Sequence, residues 1–352
     1  MSIIRFSRKG TSRMSTIIAA LSAAILIATV AALSLGCQAA GPKSLTVWTY
    51  DSFVSEWGPS AKLAELYEKQ AGVKVEFVSK GDGGALLAEL KNAGAKAEAD
   101  AVIGLDNNSA PLALETGLFA PSKLSNLAKV DKKLIVDEKN RLVPYDYGDF
   151  AFIWDSESKI EPPESLEDLT KPEYAKKVII MDPRTSTPGL GLLAWTQAVY
   201  KDGWRDYWKR LAPSILAMTP GWDTGYGLFT KGEAPLVLSY STSPAYHKAY
   251  ENTERYKTLA FSEGHSAQIE LAGVLAASKR RKDAEKFLNF LLSEEAQALL
   301  PETQWMYPAN AATTLPASFS VVPKEIVTLS ASIADPVGDP EAAAAILSGA
   351  AR

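Results

Sequence analysis

The stretch from Leu45 to Gly104 leaves this chain few folds to choose from. Residues 45–50, LTVWTY, and 73–78, VKVEFV, alternate apolar and polar side chains and are rich in β-branched and aromatic types, the signature of strands. Residues 99–104, ADAVIG, read as a third, buried strand. Between them residues 59–70 place Leu63, Leu66 and Tyr67 on one helical face, and residues 85–92 form a second helix after the breaker Gly81-Asp82-Gly83-Gly84. A strand–helix–strand–helix–strand run implies a parallel sheet covered by helices, an α/β fold. Such sheets hold ligands beyond the carboxyl ends of their strands. Three loops fall there and offer Tyr50 and Trp57, Asp82, and Asp106 with Asn107. Asp82 and Asp106 fit a helix N-cap as well as a ligand carboxylate.

Further along, residues 142–155 form a long extended aromatic run that we read as a crossover into a second lobe. Residues 177–181, KVIIM, deliver the chain into residues 182–191, DPRTSTPGLG. This segment sets Thr185, Ser186 and Thr187 beside Pro188 and Gly189 at the entry to a helix. Free N–H groups at a helix start, hydroxyls and a glycine that permits close approach favour a polar or anionic ligand oxygen. Helices follow at 190–200 and 203–211, Gly221-Trp222 opens another, and residues 234–239 are a strand delivering Tyr240 to Tyr246. Residues 267–275 return the chain to the first lobe, residues 283–292 and 294–300 are amphipathic helices, and Trp305 sits in an aromatic loop. The helical content of the tail from Ala311 is left open.

The first 36 residues stand apart from this pattern. Arg5, Arg8, Lys9 and Arg13 precede an uncharged, Ala-rich apolar run that ends at Ser34-Leu35-Gly36-Cys37, the form of an export signal. A small residue before a lone cysteine resembles a bacterial lipobox, so Cys37 is the expected lipidation site, with residues 37–43 a linker. Plain cleavage near Ala39-Ala40 and an uncleaved anchor are the alternatives. Removing residues 1–36 takes the formal charge from −4 to −8, because four cations and no acids leave. An acidic body gives no electrostatic reason to bind nucleic acid. Cys37 is the single cysteine, so no internal disulfide and no cysteine nucleophile is available, and two histidines, His247 and His265, are a thin basis for a metal site or a triad.

An exported chain with two α/β lobes and two crossovers resembles the periplasmic solute-binding proteins of ABC importers. The motifs YDSF and WG (50–58), GLDNN (104–108), PYDYGDFAF (144–152), DPRTSTPGLGLL (182–193), GW (221–222), LSYSTSPAYH (238–247), FSEGH (261–265) and WMYP (305–308) are similar to its thiamine-binding branch. The resemblance implies a type II periplasmic-binding-protein fold with the ligand cleft between lobes joined by two crossover strands. The first lobe would hold residues 44–148 and 267–310, the second residues 149–266, and 311–352 would be a separate C-terminal segment. It implies a monomeric, non-enzymatic, periplasmic protein that binds thiamine, thiamine monophosphate or thiamine diphosphate and docks on permease and ATPase subunits. Tyr50, Trp57, Trp222, Tyr240, Tyr246 and Trp305 would line the cleft, Asp82 or Asp106 would meet the cationic ring or amino group, and Ser186, Thr187 and Gly189 the hydroxyl or phosphate arm. The family ends in an aromatic-bearing helix, whereas residues 331–352 carry no aromatic.

Three rivals share that fold or ligand. A thiamine-degrading transferase needs a cysteine in the cleft. Ferric binding uses adjacent tyrosines with a carboxylate or histidine, whereas Tyr240 and Tyr246 stand six apart. Polyamine binding needs several carboxylates around an aromatic box, for which Asp82 and Asp106 are the candidates.

Overall fold

The computed structural model describes residues 44–329 and 338–349; the expected export signal, Cys37 and the expected linker lie outside them. Among the described residues no helix is long and apolar enough to cross a membrane.

The strands are β1 (Ser44–Thr49), β2 (Lys74–Ser79), β3 (Ala101–Asp106), β4 (Phe119–Ala120), β5 (Val143–Asp155), β6 (Val178–Met181), β7 (Ile215–Thr219), β8 (Leu236–Tyr240), β9 (Tyr256–Thr258), β10 (Ala267–Leu275) and β11 (Tyr307–Pro308). β1 pairs in parallel with β2 on one side and β3 on the other. The crossovers are the helices Ser60–Ala71 and Gly83–Ala93, the second starting two residues earlier than its apolar pattern suggests because Asp82 caps it. Residues 51–53, which read as a turn or loop, form a helical turn, Asp51–Val54.

The sheet is not parallel throughout. β10 runs antiparallel between β3 and β5, because it carries the chain back from the second lobe. β5 is the central device. Its first half, from Val143 to Asp149, pairs with β10, and its second half, from Phe150 to Asp155, pairs with β8 and β9. One 13-residue strand thus belongs to two sheets, and its run Phe150-Ala151-Phe152-Ile153 is fully buried. The second sheet continues with β6 parallel to both β8 and β7. β7 and β9 escaped the sequence reading: each is short, and β7 leaves its middle residues partly exposed, so neither shows a clean alternation.

Two hydrophobic cores result. One gathers Leu45, Leu63, Leu86, Ile103, Leu271 and Phe287; the other gathers Phe152, Ile179, Leu192, Trp195, Trp208 and Phe229. Each such side chain, buried to near zero exposure, contributes about 1.5–3 kcal/mol. Residues 294–300 do not form one helix. They divide into Glu294–Gln297 and Leu300–Thr303, and Pro301 lies in the first turn of the latter, where its missing N–H is tolerated.

The C-terminal segment returns to the second core. Asp339 caps the helix Pro340–Leu347, which buries Ala343 and Ile346 there, and Gly338 N–H donates to the Gln197 side chain at 3.1 Å. Arg184 reaches Glu341 at 3.5 Å. Small residues let this helix lie close without the aromatic anchor that the sequence lacks. Before it, Phe319 and Val322 pack on Ala245 and Trp305 in a third, small cluster.

Candidate functional site

A cavity of about 370 Å³ lies between the two cores. Residues of the first lobe, Tyr50, Trp57, Asp82, Glu270, Gln304 and Trp305, form one wall. Thr187, Trp222, Asp223, Tyr226, Tyr240 and Tyr246 form the other. Tyr50 follows β1, Asp82 follows β2, Thr187 follows β6, Trp222 follows β7 and Tyr240 ends β8. The cleft therefore sits where strand carboxyl ends of both sheets converge, as the topology requires.

The aromatic wall is held by specific contacts. Trp222 stacks on Tyr226 with centroids 4.8 Å apart and meets Trp57 edge-on at 6.1 Å. Its indole N–H donates to Ser239 Oγ at 2.8 Å, which fixes the ring. Tyr246 meets Trp305 edge-on at 5.6 Å, and Tyr240 packs on Phe150 at 5.4 Å. The Tyr50 ring lies directly over Gly104, whose φ of +104° suits glycine and where a Cβ would collide with that ring. The Tyr50 hydroxyl donates to Glu270 Oε2 at 2.8 Å and accepts from the Gln304 amide.

Asp82 proves to be a junction. Its carboxylate accepts from Gly83 N–H at 2.6 Å, from Ser186 Oγ at 2.7 Å and from Trp222 N–H at 3.1 Å. The starts of three helices, Gly83–Ala93, Thr187–Tyr200 and Trp222–Thr230, converge on one anion. Burial raises its pKa and these donors oppose the rise. Its lone pairs are thus engaged by the protein, although the residue still faces the cleft.

Eight of the eleven residues singled out as ligand contacts line the cavity: Tyr50, Trp57, Asp82, Thr187, Trp222, Tyr240, Tyr246 and Trp305. Asp106, Ser186 and Gly189 do not. Asp106 is buried and caps the turn after β3, accepting from Ser109 N–H at 2.8 Å and from Asn108 at 2.9 Å. Ser186 is fully buried and acts on Asp82. Gly189 faces the backbone of Met181 and Asp182, where a Cβ would come within 2.6 Å. The lining residues that sequence reasoning missed and that matter most are Asp223, Tyr226, Glu251 and Glu270. Tyr226 lies one helical turn after Trp222, and Glu270 is a lone charge inside the apolar strand QIELAGVL, which was a usable signal.

The lining is electrically one-sided. It holds four carboxylates, Asp82, Asp223, Glu251 and Glu270, and no lysine, arginine or histidine. His247 stands behind it, with Nε2 at 2.9 Å from the Tyr226 hydroxyl and Nδ1 at 2.8 Å from Glu251, and burial pushes its pKa down. His265 is structural: it bridges the Phe150 carbonyl and the Phe261 N–H inside the second lobe. Among the described residues no group of three or more His, Cys, Asp or Glu is placed to hold a metal ion.

Residues 97–324 match the family model described as bacterial extracellular solute-binding protein. The chain is 47% identical over 301 residues to the thiamine-binding periplasmic protein of Brucella abortus, covering 85% of this chain and 89% of that one. The chain belongs to the bacterial extracellular solute-binding proteins. A thiamine-binding periplasmic protein of Escherichia coli is 45% identical over 287 residues, with 81% and 86% covered. The solved structure of a periplasmic thiamin binding protein superposes with a TM-score of 0.82 at 42% identity, covering 90% of this chain and 99% of that one.

As a solute-binding protein it binds a small molecule and carries out no chemistry on it. Its lobes meet directly across the cleft. Ala85 N–H donates to the Thr185 carbonyl at 3.1 Å, Ser52 Oγ donates to Asp223 at 2.5 Å, and the Asp82 junction completes the seam.

Proposed function

We propose that this protein captures thiamine or its phosphate esters in the periplasm and delivers them to the permease of an ABC importer. The observation that carries this reading is the cleft lining: aromatic faces from both lobes, four carboxylates and no basic side chain. Thiamine joins a flat aminopyrimidine to a delocalised thiazolium cation. Such a cation gains about 0.5–2 kcal/mol per well-placed aromatic face when water is excluded. Tyr50, Trp57 and Trp305 approach from one lobe, and Trp222, Tyr226, Tyr240 and Tyr246 from the other. A ligand spanning both favours closure, because only the closed state offers every contact. Thr187, which lines the cavity at a helix start, would meet the hydroxyl or phosphate arm in this reading. Relatives bearing the thiamine-binding name at 45–47% identity support the same ligand.

The four carboxylates also favour a polyamine, a second reading that the sequence, with only Asp82 and Asp106 in view, undervalued. Titration with thiamine, its phosphates and spermidine in parallel separates the two. Saturable binding of the thiamine compounds alone supports our reading, and binding of spermidine alone overturns it. Lipidation at Cys37 would tether the acidic body to a membrane and keep it near its permease. Cys37→Ser should then release the protein into the soluble periplasmic fraction, and a protein soluble before the substitution would contradict the anchor.

A further inference from the structure

Asp82, the carboxylate expected to meet a positively charged ligand, already receives donors from three helix starts. A different acid occupies the floor of the cleft. Glu270, on β10, is 7% exposed, lines the cavity and is held by Tyr50, Tyr145 and the Gln268 amide. Directly opposite in the β5–β10 register stands Asp146. Asp146 is fully buried, and neither of its oxygens meets an N–H or O–H donor among the described residues. The residue directly across from it is Glu270, whose carboxyl raises its pKa. Two carboxyls can bond to each other only through a shared proton, since two buried like charges repel. Neighbouring acceptors are also unfilled: Gln268 Oε1 and Gln304 Oε1 are buried without a donor. This corner of the cleft has acceptors to spare and no cation.

We propose that Glu270 is the residue that reads the positive charge of the ligand, and that binding expels the proton of Glu270 while Asp146 keeps its own and donates it to the carboxylate so formed. The inference rests on the thiamine reading above. In the free protein below neutral pH both carboxyls hold a proton and the pair is uncharged. When a thiazolium enters, the carboxylate form of Glu270 is favoured and the proton leaves to solvent. The titratable groups facing Glu270 are Tyr50 after β1, Tyr145 and Asp146 on β5, Asp106 at the end of β3, Asp82 after β2 and Tyr240 at the end of β8. None of these is a cation. Burial, first, and then the carboxylates Asp106 and Asp82 push the Glu270 pKa up to about 7, against the tyrosine hydrogen bonds, and burial raises Asp146 as well. A ligand that prefers the ionised form therefore binds less tightly as pH falls below about 7.

The test is calorimetry on the full chain in detergent, in buffers of different ionisation enthalpy, at pH 6.5 and 8.5. Two probes are used: thiamine, and its neutral isostere with carbon in place of the thiazolium nitrogen. The wild type should release roughly three-quarters of a proton per thiamine at pH 6.5 and almost none at pH 8.5, as a group titrating near 7 requires. The isostere should release none. Glu270→Gln should weaken thiamine at least about tenfold at pH 8.5 while the isostere stays within about threefold, which also reports that the variant folds. Asp146→Asn, which donates to Glu270 as a protonated Asp146 does, should keep the release at pH 6.5, whereas Glu270→Gln should abolish it. Equal weakening of both probes by Glu270→Gln, or no proton released by a wild type that binds thiamine, overturns this inference alone. A wild type that binds no thiamine at either pH overturns the ligand reading, and this inference with it.

Discussion

Trp222 is the most heavily used residue of the cleft. It stacks on Tyr226, meets Trp57 across the lobe boundary, and is pinned through Ser239. Trp222→Ala should therefore cost more than about 1.5 kcal/mol of ligand affinity, read as a more than tenfold rise in Kd by calorimetry. An unchanged Kd would remove Trp222 from the site. Glu270 carries a second expectation at this scale, this time for stability. Its pKa is about 7 in the folded protein against 4.5 for an unperturbed glutamate. Between those values the folded chain holds more protons than the unfolded one, so this group's contribution falls as pH rises from about 4.5 to 7 and is level above. The ligand-free protein should melt lower at pH 7.5 than at pH 5.5, and Glu270→Gln should shrink that difference. Equal slopes in both proteins would contradict the assignment. The Arg-paired Asp137, Asp155 and Asp182 have lowered pKa values and act in a separate window, losing their stabilisation as pH falls below the usual carboxylate range.

At the scale of elements, the Asp82 junction joins one helix of the first lobe to two of the second. Ser186 touches no ligand space, yet it donates one of the bonds that close the seam. Ser186→Ala should cost about 1 kcal/mol of affinity, seen as a several-fold weaker Kd with the enthalpy of binding reduced; no change would show that the seam does not contribute to closure. The elements themselves were largely legible. β1, β2, β3, β5 and β10 stand out because alternating or continuous apolar runs bounded by turn residues leave no other reading. β7 and β9 were invisible because they are short and partly exposed, and the helix Pro340–Leu347 because an Ala-rich segment without aromatics advertises no packing face. The aromatic wall was legible through its motifs. Glu270 was legible as the lone charge of an apolar strand and was passed over; Asp223 and the roles of Ser186 and Asp106 were not legible, because a loop or helix start looks alike whether it turns to a cleft or to the core.

At the scale of the molecule, β5 and β10 make the lobes share strands, and the tail adds a further connection through the helix Pro340–Leu347. None of that helix's residues lines the cleft. Deleting residues 338–352 should lower Tm by about 5 °C, the scale of a few kcal/mol in a domain of this size, and leave the ligand Kd within twofold. A loss of binding without a loss of stability would place the tail in the site instead. The central claim is that the interlobe cleft is a receptor for a flat aromatic cation, and three of the chain's eight tryptophans, Trp57, Trp222 and Trp305, line it. Tryptophan fluorescence of the mature protein, titrated with thiamine, its phosphates and spermidine, tests this most directly. The account predicts saturable quenching by the thiamine compounds at micromolar concentration or below, with spermidine inert. A response to spermidine and none to thiamine would mean that the shared motifs mark the fold and not the ligand.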